Sequence, residues 1–148
     1  MKELINRASR FCYRPSLGLL LIRIAVGLVF FMHGWQKIHG IPMVEGMFVH
    51  FGMPAATGDF IAWLEVIGGA ALILGVLTRI FAVAFGIEMV VAFFLTGGFH
   101  SGYRPHELEI FLMLVSFGLA LAGSGMYSLY KMHCHNCGGM FCEGDCSK

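Results

Sequence analysis

The chain has 148 residues, of which 57% are hydrophobic and only 13% charged, and a formal net charge of +1. Soluble domains carry about a quarter charged residues, so this composition excludes an ordinary water-soluble globule. The near-zero charge gives no reason to expect a nucleic-acid partner. Four apolar runs are each long enough for the roughly 20 residues of a membrane-crossing helix. In lipid the backbone must satisfy its own hydrogen bonds, so the runs are expected to be helical. The expected fold is all-α: a single-domain membrane four-helix bundle over residues 16–130.

Residues 1–15 come first. Leu4, Ile5, Ala8, Phe11 and Cys12 share one helical face opposite Lys2, Arg7 and Arg10. That pattern suits a short interfacial helix on the membrane surface, and it equally suits a basic topogenic tail. Pro15 permits a turn into the first crossing helix, about 16–37. Basic residues before an apolar core resemble a secretory signal. Arg23 interrupts this run, however, and no small-x-small cleavage pattern follows, so it is read as retained. The next 22 residues or so, IHGIPMVEGMFVHFGMPAATGD, hold two prolines and four glycines, too many breakers for a crossing helix. Their centre, MVEGMFVHF, is apolar enough for a short helix at the outer surface.

The second and third crossing helices are expected at about 59–78 and 80–98, joined so tightly that they form an antiparallel hairpin. HSGYRPHE leads to the fourth, about 107–126. Fixed cations concentrate before the first helix, at Arg79 and at Lys131. The other connections hold only Lys37 and Arg104. The positive-inside rule places both termini in the cytoplasm, in a prokaryotic cytoplasmic (inner) membrane. Trp35, Trp63, Tyr103, Tyr13 and Tyr127 fall where aromatic belts lie.

Each crossing helix carries charge. Residues three, four and seven apart share a helix face, which groups Glu65, Gly68, Leu72, Gly75 and Arg79 on the second helix. Small residues allow close helix approach, so Glu65 is expected to point into the bundle. The first helix aligns Arg23, Gly27, Phe30, Gly34 and Lys37, the fourth aligns Glu109, Met113, Ser116, Ala120 and Gly123, and the third carries Glu88. An unpaired charge at mid-membrane costs about 2.5–3.5 kcal/mol, so partners are required. At ~1.5 Å per residue, Glu65 lies about 9 Å from the outer end of its helix, Arg23 about 10 Å and Glu88 about 12 Å from the inner ends. Depth then predicts an outer cluster of Glu65 with His33, Lys37 and Glu109, and an inner pair of Arg23 with Glu88. These groups either fix helix register or handle protons or a polar ligand.

The series Arg23-x3-Gly27, Gly34-x2-Lys37 and Glu65-x2-Gly68-Gly69-x2-Leu72-x2-Gly75-x3-Arg79, with an ending Gly125-x-Tyr127-Ser128-Leu129, resembles the DoxX family of small four-helix membrane proteins. The likeness spans about residues 17–130. It implies a membrane subunit of a redox system, as in thiosulfate:quinone and thiol-stress oxidoreductase complexes, with Arg23, Lys37, Glu65 and Arg79 at the matching positions. No flavin, haem or nucleotide motif is visible, so an electron carrier would be a quinone or belong to a partner subunit.

Residues 131–148 depart from that family's usual ending. HCHNCGGMFCEGDC spaces Cys134, Cys137, Cys142 and Cys146 as four thiolates at short intervals, a set suited to tetrahedral zinc. Redox-active thiols at Cys134 and Cys137, or a tail with no fixed role, are the alternatives. A reducing cytoplasm disfavours structural disulfides. His39, His50, His100 and His106 all fall in outer connections, where a joint metal site is conceivable.

Three functions follow as expectations. The first is a quinone-linked redox subunit using Glu65, His33, Lys37, Arg23 and Glu88. The second is a non-catalytic scaffold that recruits a soluble partner through a zinc-binding tail. The third is a small-solute or ion transporter. Membrane lipid and either other subunits or further copies of the chain are the expected partners.

Overall fold

The computed structural model describes residues 15–101, 106–125 and 127–129. The expected interfacial segment before Pro15 and the four tail cysteines lie outside the described residues. Within them the chain forms α1 (Pro15–His39), α2 (Ile41–His50), α3 (Ala56–Leu74), α4 (Thr78–Leu95), a 3₁₀ turn (Gly98–Ser101) and α5 (Glu107–Ala122). No strand occurs among the described residues. Helices α1, α3 and α4 are long and apolar enough to cross a membrane. Helix α5 has 16 residues, about 24 Å at ~1.5 Å per residue, short of a hydrocarbon core of about 30 Å.

Glycine sets the architecture. An added Cβ at Gly27 would lie 2.8 Å from the carbonyl oxygen of Gly69, and one at Gly69 would lie 2.7 Å from that of Gly27. The backbones of α1 and α3 therefore touch, which only residues without side chains allow. Gly34 repeats the contact two turns on, against Ala62, Glu65 and Val66. Gly68 seats the rings of Phe81 and Phe85 from α4, and Gly86 seats the ring of Phe117 from α5. Phe30 and Phe85 stack at 3.8 Å, nearly parallel at 5°. Around them Val26, Leu72, Met89, Leu112 and Leu119 complete a buried apolar core. Outside, Leu21, Ile67, Ile80, Phe94, Leu114 and Leu121 stand exposed, a surface fit for lipid rather than water.

Two boundaries differ from the expected ones for a local reason. Helix α3 stops at Leu74 because Gly75 turns left-handed at φ +77. Gly75 N–H then donates to Leu72 O and Val76 N–H to Ala71 O, the paired bonds that terminate a helix at a left-handed glycine. The hairpin connection is accordingly Gly75–Leu77, and α4 opens at Thr78. Helix α5 ends at Ala122, before Gly123 at φ +83. The short outer helix exists as α2, and it packs Val44 and Phe48 on Gly58 at the start of α3.

Candidate functional site

Helix α1 presents Lys37 in its last turn, on the same face as Gly34. The bare Gly34 lets α3 close to within 2.7 Å of where a side chain would begin, and the first α3 atom met is Glu65 Cβ. Glu65 is thereby held under the end of α1. Lys37 Nζ donates to Glu65 Oε1 at 2.7 Å and lies 3.8 Å from Glu88 Oε1 of α4. The carboxylates are 1% and 8% exposed, while the lysine is 26% exposed. A long lysine stem reaches inward along apolar surface while the α-carbon stays near the helix end. The second oxygens, Glu65 Oε2 and Glu88 Oε2, are buried without a hydrogen-bond partner. Three helices thus deliver two carboxylates to one ammonium.

Two expected members of the outer cluster make no hydrogen bond or ion pair with it among the described residues. His33 is half-buried on α1, one turn before Lys37, and makes no hydrogen bond or ion pair among the described residues. Glu109 is engaged elsewhere, as described below.

The expected Arg23–Glu88 pair does not form. Helix α4 runs from Thr78 to Leu95 rather than 80–98, which puts Glu88 about 15 Å from its start and about 10 Å from its end. That height puts it beside Lys37. Arg23 is 1% exposed and donates instead to the carbonyl oxygens of Ser124 and Tyr127, just past α5. Carbonyls of the non-helical segment after α5 have no ladder partner, and two of them aimed at one guanidinium satisfy a buried cation without a carboxylate. Gly75 makes the space, since an added Cβ there would fall 2.8 Å from the guanidinium. Leu129 N–H donates to Leu74 O and fastens the same segment beneath α3. Arg79, expected at the inner end, lies exposed against Gly123.

A second polar group went unread in the sequence. His106, at the N-cap of α5, is 3% exposed and donates from Nδ1 to Glu109 Oε2 at 2.9 Å. The Thr96 hydroxyl donates to Ala92 O at 2.8 Å, and its oxygen sits 3.3 Å from the same Nδ1. Phe93 meets the imidazole edge-on at 5.2 Å, and Nε2 is buried with no partner. The signal was the i, i+3 spacing of His106 and Glu109 at a helix start, obscured because His106 was counted among loop histidines. No group of three His, Cys, Asp or Glu suited to a metal forms among the described residues, so the outer histidines do not assemble there into a metal site.

The sequence profile of DoxX matches residues 18–98. The chain belongs to the DoxX family. It is 33% identical over 115 residues to a Bacillus subtilis (strain 168) protein named "Putative oxidoreductase CatD", covering 77% of this chain and 85% of that one. It is 41% identical to the Mycobacterium tuberculosis (strain H37Rv) "Uncharacterized membrane protein Rv3486", over 76% and 78% of the two chains. It is 30% identical to the Escherichia coli (strain K12) "Inner membrane protein YqjF", over 79% and 92%. No solved structure matches. This DoxX protein is an integral membrane protein. Arg23, Lys37, Glu65, Arg79 and Glu88 fall inside the matched DoxX stretch, whereas His106 and Glu109 lie beyond it.

Proposed function

We propose that this DoxX protein is the membrane subunit of a quinone-linked redox system. In it Lys37, Glu65 and Glu88 exchange protons with, or hold, the polar head of a quinone. The observation that carries this reading is the sharing of one ammonium by two buried carboxylates. One lysine balances one carboxylate, so the second needs a proton or a further cation. Groups poised in this way cluster where protons or charged ligands are handled. The name of the Bacillus relative, an oxidoreductase, favours the same direction.

In the membrane, α1, α3, α4 and the shorter α5 cross, and α2 lies on the outer surface. Both termini are cytoplasmic. The tail binds zinc through Cys134, Cys137, Cys142 and Cys146.

Gentle purification from native membranes, with mass spectrometry of bound lipid, metal and protein, tests the reading. Retained quinone or a recurrent oxidoreductase partner is the expected result. Glu65→Gln should lower quinone retention while the protein still migrates as wild type. A chain that carries neither quinone nor such a partner refutes it.

A further inference from the structure

The pair His106–Glu109 plays no part in the reading above, yet its geometry is that of a poised base. A carboxylate only accepts hydrogen bonds when ionised, so Glu109 fixes the proton of His106 on Nδ1 at 2.9 Å. Nε2 is then left as an acceptor. It is buried and has no partner, in an imidazole that is 3% exposed. A third group orienting a base whose other nitrogen is free is the arrangement used for proton abstraction. No third His, Cys, Asp or Glu joins the pair among the described residues, which points away from a metal.

The surroundings indicate what supplies the missing donor. Phe93 stands edge-on to the imidazole and gives an aromatic wall. Phe94, Leu108 and Phe111, beside these residues in sequence, are all exposed, so α4 and α5 present apolar surface at this level. A ligand reaching Nε2 from that side comes out of the bilayer and is itself lipid-soluble. It must bear a hydroxyl to satisfy the acceptor.

We propose that His106 is the proton acceptor for a lipid-soluble hydroquinone bound between the outer ends of α4 and α5. The proposal rests on the quinone-linked reading and names the oxidation state the protein takes up. In the step, the hydroquinone O–H bond breaks and an Nε2–H bond forms. The products are a hydroquinonate anion and an imidazolium whose charge the Glu109 carboxylate offsets. No electron moves. Lys37, Glu65 and Glu88 form a separate centre, since Glu88 and Thr96 are about 12 Å apart along α4.

The test titrates the full-length protein in nanodiscs with a decyl-tailed benzohydroquinone and with the matching quinone. His106→Asn keeps an amide donor near the place of Nδ1 and deletes Nε2, so a merely structural histidine would be replaced without effect. The expected result is an unchanged thermal midpoint and a loss of hydroquinone affinity of roughly tenfold or more. Nitrogen NMR of the wild-type imidazoles provides a reading free of any folding defect, and only the Nε2 resonance of His106 should move with hydroquinone. Should wild type bind hydroquinone while that resonance stays fixed and His106→Asn binds equally well, the inference is overturned and the quinone-linked reading stands. If wild type binds neither hydroquinone nor quinone, both fall.

Discussion

Replacing Gly34 by alanine tests the central structural claim, that α1 and α3 are joined backbone to backbone. The new Cβ would lie 2.7 Å from Glu65 Cβ, 2.7 Å from Val66 N and 2.8 Å from Ala62 O. None of these atoms is the end of a flexible side chain, so the clash cannot be relieved by a rotamer change. Carbon–carbon contacts settle near 3.5–4.0 Å, so the helices must separate by roughly 0.8 Å or slide. Alanine gains about 0.5–1 kcal/mol of helix propensity over glycine. Overpacking of a filled interface costs about 1–3 kcal/mol, so the net lies between about 0 and 2.5 kcal/mol of loss, toward the upper end because three unyielding atoms are met at once.

A control is built into the same fold. Gly118 in α5 has nothing within 4 Å of an added Cβ, so Gly118→Ala should be neutral or stabilising. Both variants are read by thermal and denaturant unfolding of the purified protein in one detergent. If Gly34→Ala unfolds with wild type or above it, the close α1–α3 contact is refuted. The prediction also has a functional side. Gly34 is one turn from Lys37, so separating the helices should loosen the 2.7 Å Lys37–Glu65 bond and weaken quinone retention more than Gly118→Ala does.

Further outcomes follow from the same geometry. A double-mutant cycle of Lys37→Met with Glu65→Gln should give a coupling of about 1–3 kcal/mol. The cycle with Glu88→Gln should give less, because 2.7 Å is a hydrogen-bonded contact and 3.8 Å is not; equal couplings would refute the ranking. Arg23→Lys removes the fork that reaches both Ser124 O and Tyr127 O, leaving at least one buried carbonyl unpaired. Thermal stability should fall by about 1–3 kcal/mol, and a variant as stable as wild type would refute the clamp. In the tail, Cys134→Ser with Cys137→Ser should abolish bound zinc by metal analysis and leave the thermal midpoint of the bundle unchanged. Wild-type protein purified without zinc removes that assignment.

Sequence pattern went far with this fold because membrane helices obey few rules strictly. Apolar runs located every long helix, and the i, i+3, i+4 faces placed Glu65, Arg23 and Phe30 inward, where each is at most 1% exposed. Glycine on those faces called for close helix approach, which α1 and α3 make at Gly27, Gly34 and Gly69. Partner choice was less legible. It depended on helix ends: the left-handed Gly75 ends α3 at Leu74 and lets α4 begin at Thr78, two residues before the expected start, which puts Glu88 about 3 Å further along toward Lys37. Reading Arg23 as needing a carboxylate missed that backbone carbonyls of the segment after α5 serve as well. The signal was present in Gly123 and Gly125, both with positive φ, which turn the chain after α5 back under the guanidinium. His106–Glu109 was missed because the residues before α5 read as loop, and loop histidines carry little pattern of their own.

The distribution of polar groups bears on the transporter alternative. Every carboxylate the described residues bring into contact with a cation or imidazole lies toward the Lys37 end of the bundle: Glu65 and Glu88 with Lys37, and Glu109 with His106. At the inner level Arg23 is held by backbone carbonyls, with no acidic partner among the described residues. About 21 Å of α1 separates Lys37 from Arg23, and midway stands the Phe30–Phe85 stack at 3.8 Å. Leu72, Leu112 and Leu119 fill the space around it, and Ser116, fully buried there, has no hydrogen-bond partner. A relay across the membrane needs polar stations one hydrogen bond apart, and a single serine in this apolar layer does not provide them. Moving a proton or ion from Glu65 to the Arg23 end through one chain would require the aromatic stack to open. Exchange at the Lys37 end with a lipid-soluble molecule requires no such opening. The fold therefore favours the proposed exchange at the Lys37 end over a solute passing through the bundle.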